Sequence, residues 1–289
     1  MGADGARRRL RLGRIPYINC YPVYGAVDRG VVALDADLVD GVPSALNRQM
    51  AAGTLDVSVI SAVEYARDAR RYLLLPDLAI SCDGPVRSVM LFSRIPATAL
   101  GGRRVLVSRS SMTSVALLEL LFEHVWKVRP HFVPADAEVA DVERFGDEAH
   151  DARLVIGDAA LVLDARRRAA PDAASYPHAY DLGAEWKGWT GLPFVFAVWV
   201  AQRTTPVDRA LALHAGLIAS RDWGLQHLDT LAAQAAAATG VGRAVCAEYL
   251  SGLDYGLSYQ HLAGLTEYFR RLVAAGRVPD GSLSFLPAA

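Results

Sequence analysis

The sequence predicts an α/β protein with two lobes, and three observations lead to this prediction. Short apolar segments alternate with helical segments over roughly the first two hundred residues, which is typical of sheets with largely parallel strands. The turn at Gly101–Gly102 starts a second strand-and-helix unit, and the chain beyond Pro206 is helical in pattern. We therefore predict a discontinuous first lobe of residues 9–98 and 200–289, an inserted second lobe of residues 99–199, and a ligand cleft between them.

The first lobe opens with strands and helices in alternation. Pro43 and Gly53 delimit its second helix, because proline is favoured in the first turn and glycine just past the end. The predicted strands are residues 11–18, 36–41, 55–62, 73–82 and 88–94, and the predicted helices are residues 21–30, 43–53 and a segment that begins at residue 62.

In the second lobe, a cluster of hydroxyls separates a strand from a helix. The apolar run Val105–Val107 predicts a buried strand, and apolar residues at helical spacing begin at Val115. Between them lie Ser110, Ser111, Thr113 and Ser114, with Met112 inside the cluster. A helix N-terminus carries unpaired N–H groups and partial positive charge, so added hydroxyls suit a carboxylate or phosphate. The alternative is a plain N-cap, which needs one hydroxyl.

The remaining strands of this lobe follow the same logic. Apolar runs predict strands at residues 130–135 and 151–156, and the latter leads through a turn at Gly157–Asp158 into a helix. The apolar run at residues 192–200 predicts a strand that leaves the second lobe.

Composition excludes several classes of protein. Of 289 residues, 52% are apolar and 21% are charged, and the net charge of −1 argues against a nucleic-acid partner. Three distant cysteines fit neither a disulfide framework nor a zinc site, which favours a reduced, cytoplasmic setting. The basic N-terminus lacks the apolar run of a secretion signal, and no apolar stretch is long enough to span a membrane, so we expect no membrane partner.

Sequence motifs narrow the chemistry further. The sequence has no glycine-rich dinucleotide motif after a strand, no Walker loop, no H-E-x-x-H and no G-x-S-x-G. We therefore expect neither a metal nor another cofactor, and we expect a small molecule as the partner. What the pattern offers instead is uncharged polar residues at strand ends.

These residues recur where ligands bind in open α/β sheets, outside the carboxyl ends of the strands. Taken singly, each also has an ordinary interpretation as a turn, cap or backbone-satisfying residue. The candidate site residues are Asn19, Ser44, Ser61, Arg87, Ser88, Ser110, Ser111, Met112, Thr113, Ser114, Gly157 and Asp158.

Six segments follow one another in the chain: "RIPYINCYPVY", "GVPSALNRQMAAGTLDVSVISAVEYA", "DGPVRSVMLFS", "SRSSMTSVALLELLF", "VIGDAAL" and "YDLGAEWKGWTGLPFVFAVWV". In this order they resemble the chorismate dehydratase family of the futalosine route to menaquinone. The resemblance runs from about Arg11 to Val200 and implies a fold like that of type II periplasmic binding proteins. One departure is Ser61, where the family pattern leads us to expect proline.

The resemblance also implies a reaction and roles for residues. Chorismate, a dianion, would lose the proton at ring carbon 3 and the hydroxyl at carbon 4, giving 3-[(1-carboxyvinyl)oxy]benzoate and water without a cofactor. Asn19 resembles the family's active-site asparagine and is the predicted catalytic residue, and Ser88 resembles a serine of the same site. The other candidates are predicted to bind substrate, with the Ser110–Ser114 turn holding one carboxylate.

Three other functions stay open at this point. The sister dihydroxynaphthoate synthases of the same pathway share the fold, a solute-binding protein for a small carboxylate would have the same lobes, and a ligand-sensing regulatory domain would need a partner segment that the sequence does not indicate. The helical segment beyond Pro206 is compatible with packing on its own lobe or with a homodimer face.

Overall fold

Two five-stranded sheets form the framework of the protein. The computed structural model describes residues 8–109, 111–135, 149–171 and 174–287. The strands are β1 Leu10–Arg14, β2 Ala36–Asp40, β3 Val57–Ser61, β4 Tyr72–Cys82, β5 Val89–Ser93, β6 Arg104–Ser108, β7 His131–Ala135, β8 Ala152–Ile156, β9 His178–Asp181 and β10 Phe194–Gln202.

The two sheets share one design. The first has the order β2-β1-β3-β10-β4 and the second the order β7-β6-β8-β5-β9. Three neighbouring strands in each sheet are parallel, whereas β10 runs antiparallel to β3 and β4, and β5 runs antiparallel to β8 and β9. Four of the five strands in each sheet therefore run in the same direction, as the prediction of largely parallel sheets requires, and the single reversed strand, β10 or β5, makes each sheet mixed.

Helices cover both sheets. They are α1 Tyr21–Asp28, α2 Pro43–Ala51, α3 Ala62–Arg67, α4 Met112–Leu121, α5 Gly157–Ala169, α6 Leu182–Thr190, α7 Val207–Gln226, α8 Leu228–Thr239, α9 Arg243–Ser251 and α10 Tyr259–Ala274. In the described part of the chain, no helix has the length and apolar character needed to cross a membrane.

The C-terminal helices α7 to α10 pack on the first sheet and its helices. α7 lies so close to α1 that a Cβ added to Gly224 would come within 2.1 Å of the carbonyl oxygen of Pro22. At the buried centre of β10, the indole of Trp199 donates to the hydroxyl of Tyr24 at 3.1 Å. This packing is the first of the two arrangements that the sequence allowed, and a homodimer remains a prediction.

The chain crosses between the sheets at positions that differ from the predicted lobe boundaries. β5 pairs only with strands of the second sheet, although residues 89–98 were assigned to the first lobe. β10 belongs wholly to the first sheet, although the boundary was placed near residue 199. The crossovers are thus residues 83–88 and the α6 segment, and the turn at Gly101–Gly102 lies within the second lobe.

The half-buried carboxylate of Asp181 joins the two crossovers. Asp181 caps α6 by accepting from the backbone N–H groups of Gly183 and Ala184 at 2.9 and 3.1 Å. It also accepts from the N–H groups of Val86 and Arg87 at 3.0 and 2.6 Å. Because charge-assisted hydrogen bonds are strong, this carboxylate fixes the segment that leads into Ser88.

Candidate active site

A cavity with about 590 Å³ of empty space, part of it open to solvent, lies between the two lobes at the ends of the strands. Both sheets and the first crossover contribute to its walls. The lining residues are Ile15, Tyr17, Asn19, Pro43, Ser61, Ile80, Val86, Ser88, Val89, Ser111, Ser114, Ile156, Gly157, Phe196 and Ala197.

Asn19 lies in a short 3₁₀ turn, Ile18–Cys20, between β1 and α1. Its amide oxygen is buried and has no hydrogen-bond partner among the described residues. The turn is attached to the second lobe, because the N–H of Ile18 donates to Oδ1 of Asp158 at 3.1 Å. The residue therefore presents an amide to the cavity from a turn that both lobes hold.

Asp158 supports the site from outside the cavity lining. It lies in the first turn of α5, and burial raises its pKa to about 6, although the hydrogen bond from Ile18 opposes this rise. The predicted substrate-binding residue thus bonds the other lobe in this structure.

The hydroxyl cluster at the start of α4 divides into two roles. Ser111 is the N-cap, accepts from the N–H of Ser114 at 3.3 Å and donates to its Oγ at 2.7 Å, and both serines line the cavity. Thr113 faces away and accepts from the N–H of Val63, in the first lobe, at 3.1 Å. The sulfur of Met112 accepts from the Asn47 amide at 3.3 Å. Ser110 lies outside the described residues.

Ser88 is a buried cavity residue held by backbone bonds on both sides. Its N–H donates to the carbonyl of Val86 and its carbonyl accepts from Gly157, both at 2.7 Å. The preceding residue, Arg87, has a φ of 60°. Its guanidinium pairs with Glu248, so the structure places this predicted substrate-binding side chain outside the cavity lining.

The remaining candidates lie on opposite sides of the cavity. Ser61 ends β3 and accepts from the Asn47 amide at 2.8 Å, while its N–H donates to the Asn47 oxygen at 3.1 Å. Ser44 is absent from the lining, and its neighbour Pro43 is present. Gly157 has a φ of 64°, and an added Cβ would lie 3.0 Å from the ring of Tyr17, so glycine permits this close contact.

Sequence reasoning missed the apolar walls, because it searched strand ends for polar groups. Tyr17 covers Gly157, and the most deeply buried apolar walls are Ile80 and Val86. The segment "IPYIN" carried a usable signal, since it places an aromatic residue two positions before Asn19.

The cavity combines neutral hydrogen-bond donors with apolar walls. None of its lining residues in the described ranges is Lys, Arg, His, Cys, Asp or Glu. No group of three or more metal-ligating side chains was found among the described residues. The N-termini of α4 and α5 both open at the cavity, through Ser111 and Gly157. Such a site can hold the carboxylates of a flat, unsaturated molecule through hydroxyls and helix N-termini.

The two α/β lobes around this cavity have the periplasmic-binding-protein fold. A solved protein of Archaeoglobus fulgidus superposes with a TM-score of 0.75 at 20% identity, over 93% of this chain and 98% of that one. The alkanesulfonate-binding protein of Xanthomonas axonopodis pv. citri, bound to MOPS, gives a TM-score of 0.63 at 14% identity over 95% of both chains. These likenesses establish the fold alone.

The chain belongs to a menaquinone biosynthesis family, whose sequence profile matches residues 10–274. It is 31% identical over 245 residues to a chorismate dehydratase of Thermus thermophilus, covering 81% of this chain and 86% of that protein. It is 29% identical over 190 residues to a chorismate dehydratase of Campylobacter jejuni, covering 64% of each. The resemblance predicted from the sequence is thereby confirmed.

Proposed function

We propose that this chain is a chorismate dehydratase, a hydro-lyase that converts chorismate to 3-[(1-carboxyvinyl)oxy]benzoate and water. The observation that carries the proposal is the cavity between the lobes, where Asn19, Ser88, Ser111 and Ser114 converge and whose described lining contains no Lys, Arg, His, Cys, Asp or Glu. The reaction forms an aromatic ring and is strongly downhill, so it needs a shielded cavity and donors that stabilise developing charge rather than a strong reagent.

Ser114 donates its hydroxyl proton to the ring carboxylate, and Ser111 supports it by donating to Ser114 Oγ. Loss of the proton at carbon 3 sends negative charge through the ring double bonds towards that carboxylate. Two hydroxyls at the N-terminus of α4 then bind the transition state more tightly than the ground state. Stronger binding of the transition state is what lowers the barrier.

Asn19 and Ser88 serve the leaving oxygen at carbon 4. Because no Lys, Arg, His, Cys, Asp or Glu lines the cavity among the described residues, we assign the role of base to the enolpyruvyl carboxylate of the substrate. It takes the proton from carbon 3, the freed electron pair forms a ring double bond, and the bond from carbon 4 to oxygen breaks. The departing hydroxide takes up that proton, so that one molecule of water leaves and the carboxylate is regenerated.

The decisive experiment mixes EDTA-treated protein with chorismate and follows the ultraviolet spectrum, with product identification by mass. The expected result is an aromatic product lighter than chorismate by one water. Binding without turnover would contradict the proposal and favour a solute-binding role. A protein that neither binds chorismate nor turns it over would also contradict the proposal. The cyclic substrate of the sister synthase would then be tested. Size-exclusion chromatography with light scattering tests the predicted homodimer.

A further inference from the structure

Tyr249 buries a hydroxyl behind the cavity that the proposed chemistry does not use. The residue lies on α9 and is 2% exposed. Among the residues that the structure describes, no atom is in hydrogen-bonding geometry with its hydroxyl. Ser88, which lines the cavity, is the hydroxyl side chain close enough to interact with it.

A phenol in this state weakens the fold. A buried hydroxyl without a partner has lost its hydrogen bonds to water, whereas phenylalanine would fill the same space without that cost. The ring of Tyr249 accounts for packing in the core, but its oxygen does not. Packing therefore does not explain the hydroxyl, whereas an interaction with a neighbouring polar group would.

The single proton of the Ser88 hydroxyl can point either at the carbonyl oxygen of Val86 or into the cavity. Its Oγ lies 3.4 Å from the carbonyl oxygen of Val86, a long contact that turns the proton away from the cavity. A serine hydroxyl donates one hydrogen bond and accepts two. If another group donates to Oγ, the serine proton is free to point at a ligand.

We propose that Tyr249 is a positioning residue for Ser88, donating its phenolic proton to Oγ so that the Ser88 proton points into the cavity at the leaving oxygen of the substrate. This inference rests on the proposed function. Chains of hydrogen bonds strengthen one another in a low-dielectric interior, so the pair donates best when negative charge develops on that oxygen. Burial raises the pKa of Tyr249, which keeps the phenol protonated as a donor.

Tyr255 provides a matched control. It is equally buried, and its hydroxyl also has no hydrogen-bond partner among the described residues. Its electrostatic neighbours are Tyr249 and Cys20 rather than Ser88. Tyr255→Phe therefore removes the same atom from the same part of the core without touching the proposed pair.

The experiment measures kcat, KM and the melting temperature for Tyr249→Phe, Tyr255→Phe, Ser88→Ala and the double variant of Tyr249 and Ser88. For Tyr249→Phe we expect kcat to fall about tenfold or more, as for other residues that orient an active group, with KM within about twofold and no loss of melting temperature. Tyr255→Phe should keep the wild-type kcat. In the Ser88→Ala background, Tyr249→Phe should change kcat no further, because the atom it orients is gone.

Each contrary result has a separate meaning. A wild-type kcat in Tyr249→Phe, or equal losses in both phenylalanine variants, would overturn the inference. Independent, multiplicative effects of Tyr249→Phe and Ser88→Ala would show that Tyr249 does not act through Ser88. A wild-type protein without turnover of chorismate would overturn the proposed function itself, which the wild-type assay detects before any variant is compared.

Discussion

Asp158 gives the protein a pH-dependent stability that can be calculated from the structure. Burial raises the pKa of this carboxyl from its ordinary value of 3.8 to about 6. The folded state therefore holds the proton more tightly than the unfolded state does. The stability that this proton provides is fully present below pH 3.8 and is lost as the pH rises through 6. Each pKa unit corresponds to about 1.4 kcal/mol, so the loss is about 3 kcal/mol.

The assay compares wild type with Asp158→Asn in urea unfolding from pH 4 to pH 8. Asparagine keeps the shape and the acceptor for Ile18 N–H but has no charge, so other titrating groups cancel in the difference. The variant should gain about 2–3 kcal/mol of unfolding free energy relative to wild type across this range, most of it between pH 4 and pH 6 and with a midpoint near pH 5. The reasoning would be refuted if the difference in unfolding free energy between variant and wild type did not change with pH, or if the variant became less stable relative to wild type as the pH rises.

Two further predictions concern the cavity and the closure of the lobes. Asn19→Asp should lower kcat/KM by about a hundredfold or more, because a carboxylate repels the dianion and replaces an amide donor. Steady-state assays with chorismate measure this effect, and near-normal activity would remove Asn19 from the mechanism. Thr113→Val leaves the N–H of Val63 without its acceptor, so it should lower the unfolding free energy by about 1–3 kcal/mol and raise KM. Calorimetry measures the first effect and steady-state kinetics the second. Unchanged values in both would contradict the role of Thr113 in holding the lobes together.

Much of the fold could be predicted from the sequence, because hydrophobic periodicity is a local property. The predicted strands and helices of the first lobe correspond to β1–β5 and α1–α3. The lobe boundary was wrong because strand pairing is not local. β5 pairs with β8, which follows it by about sixty residues, and no local pattern at residues 83–88 marks a crossover. The segment of β9 and α6 carries part of the family resemblance, but its pattern does not predict a strand followed by a helix.

The site was predicted at the level of segments and not of side chains. Ser111 and Ser114 line the cavity because residues three apart on a helix share a face, and the intervening Thr113 faces the other lobe instead. A sequence shows four hydroxyls in five positions but not which face meets the cleft. Arg87 does not line the cavity. Its backbone has a left-handed conformation, and its side chain pairs with Glu248.

Closure of the lobes and assembly of the site are one event in this structure. The bond from Ile18 to Asp158 immediately precedes Asn19 in one lobe and follows Gly157 in the other. The bond from Val63 to Thr113 lies one residue from Ser114. Both of these contacts therefore lie next to a cavity residue and help to place it. An open form would hold substrate on one lobe without the full set of donors, so the reaction is confined to the state that excludes water.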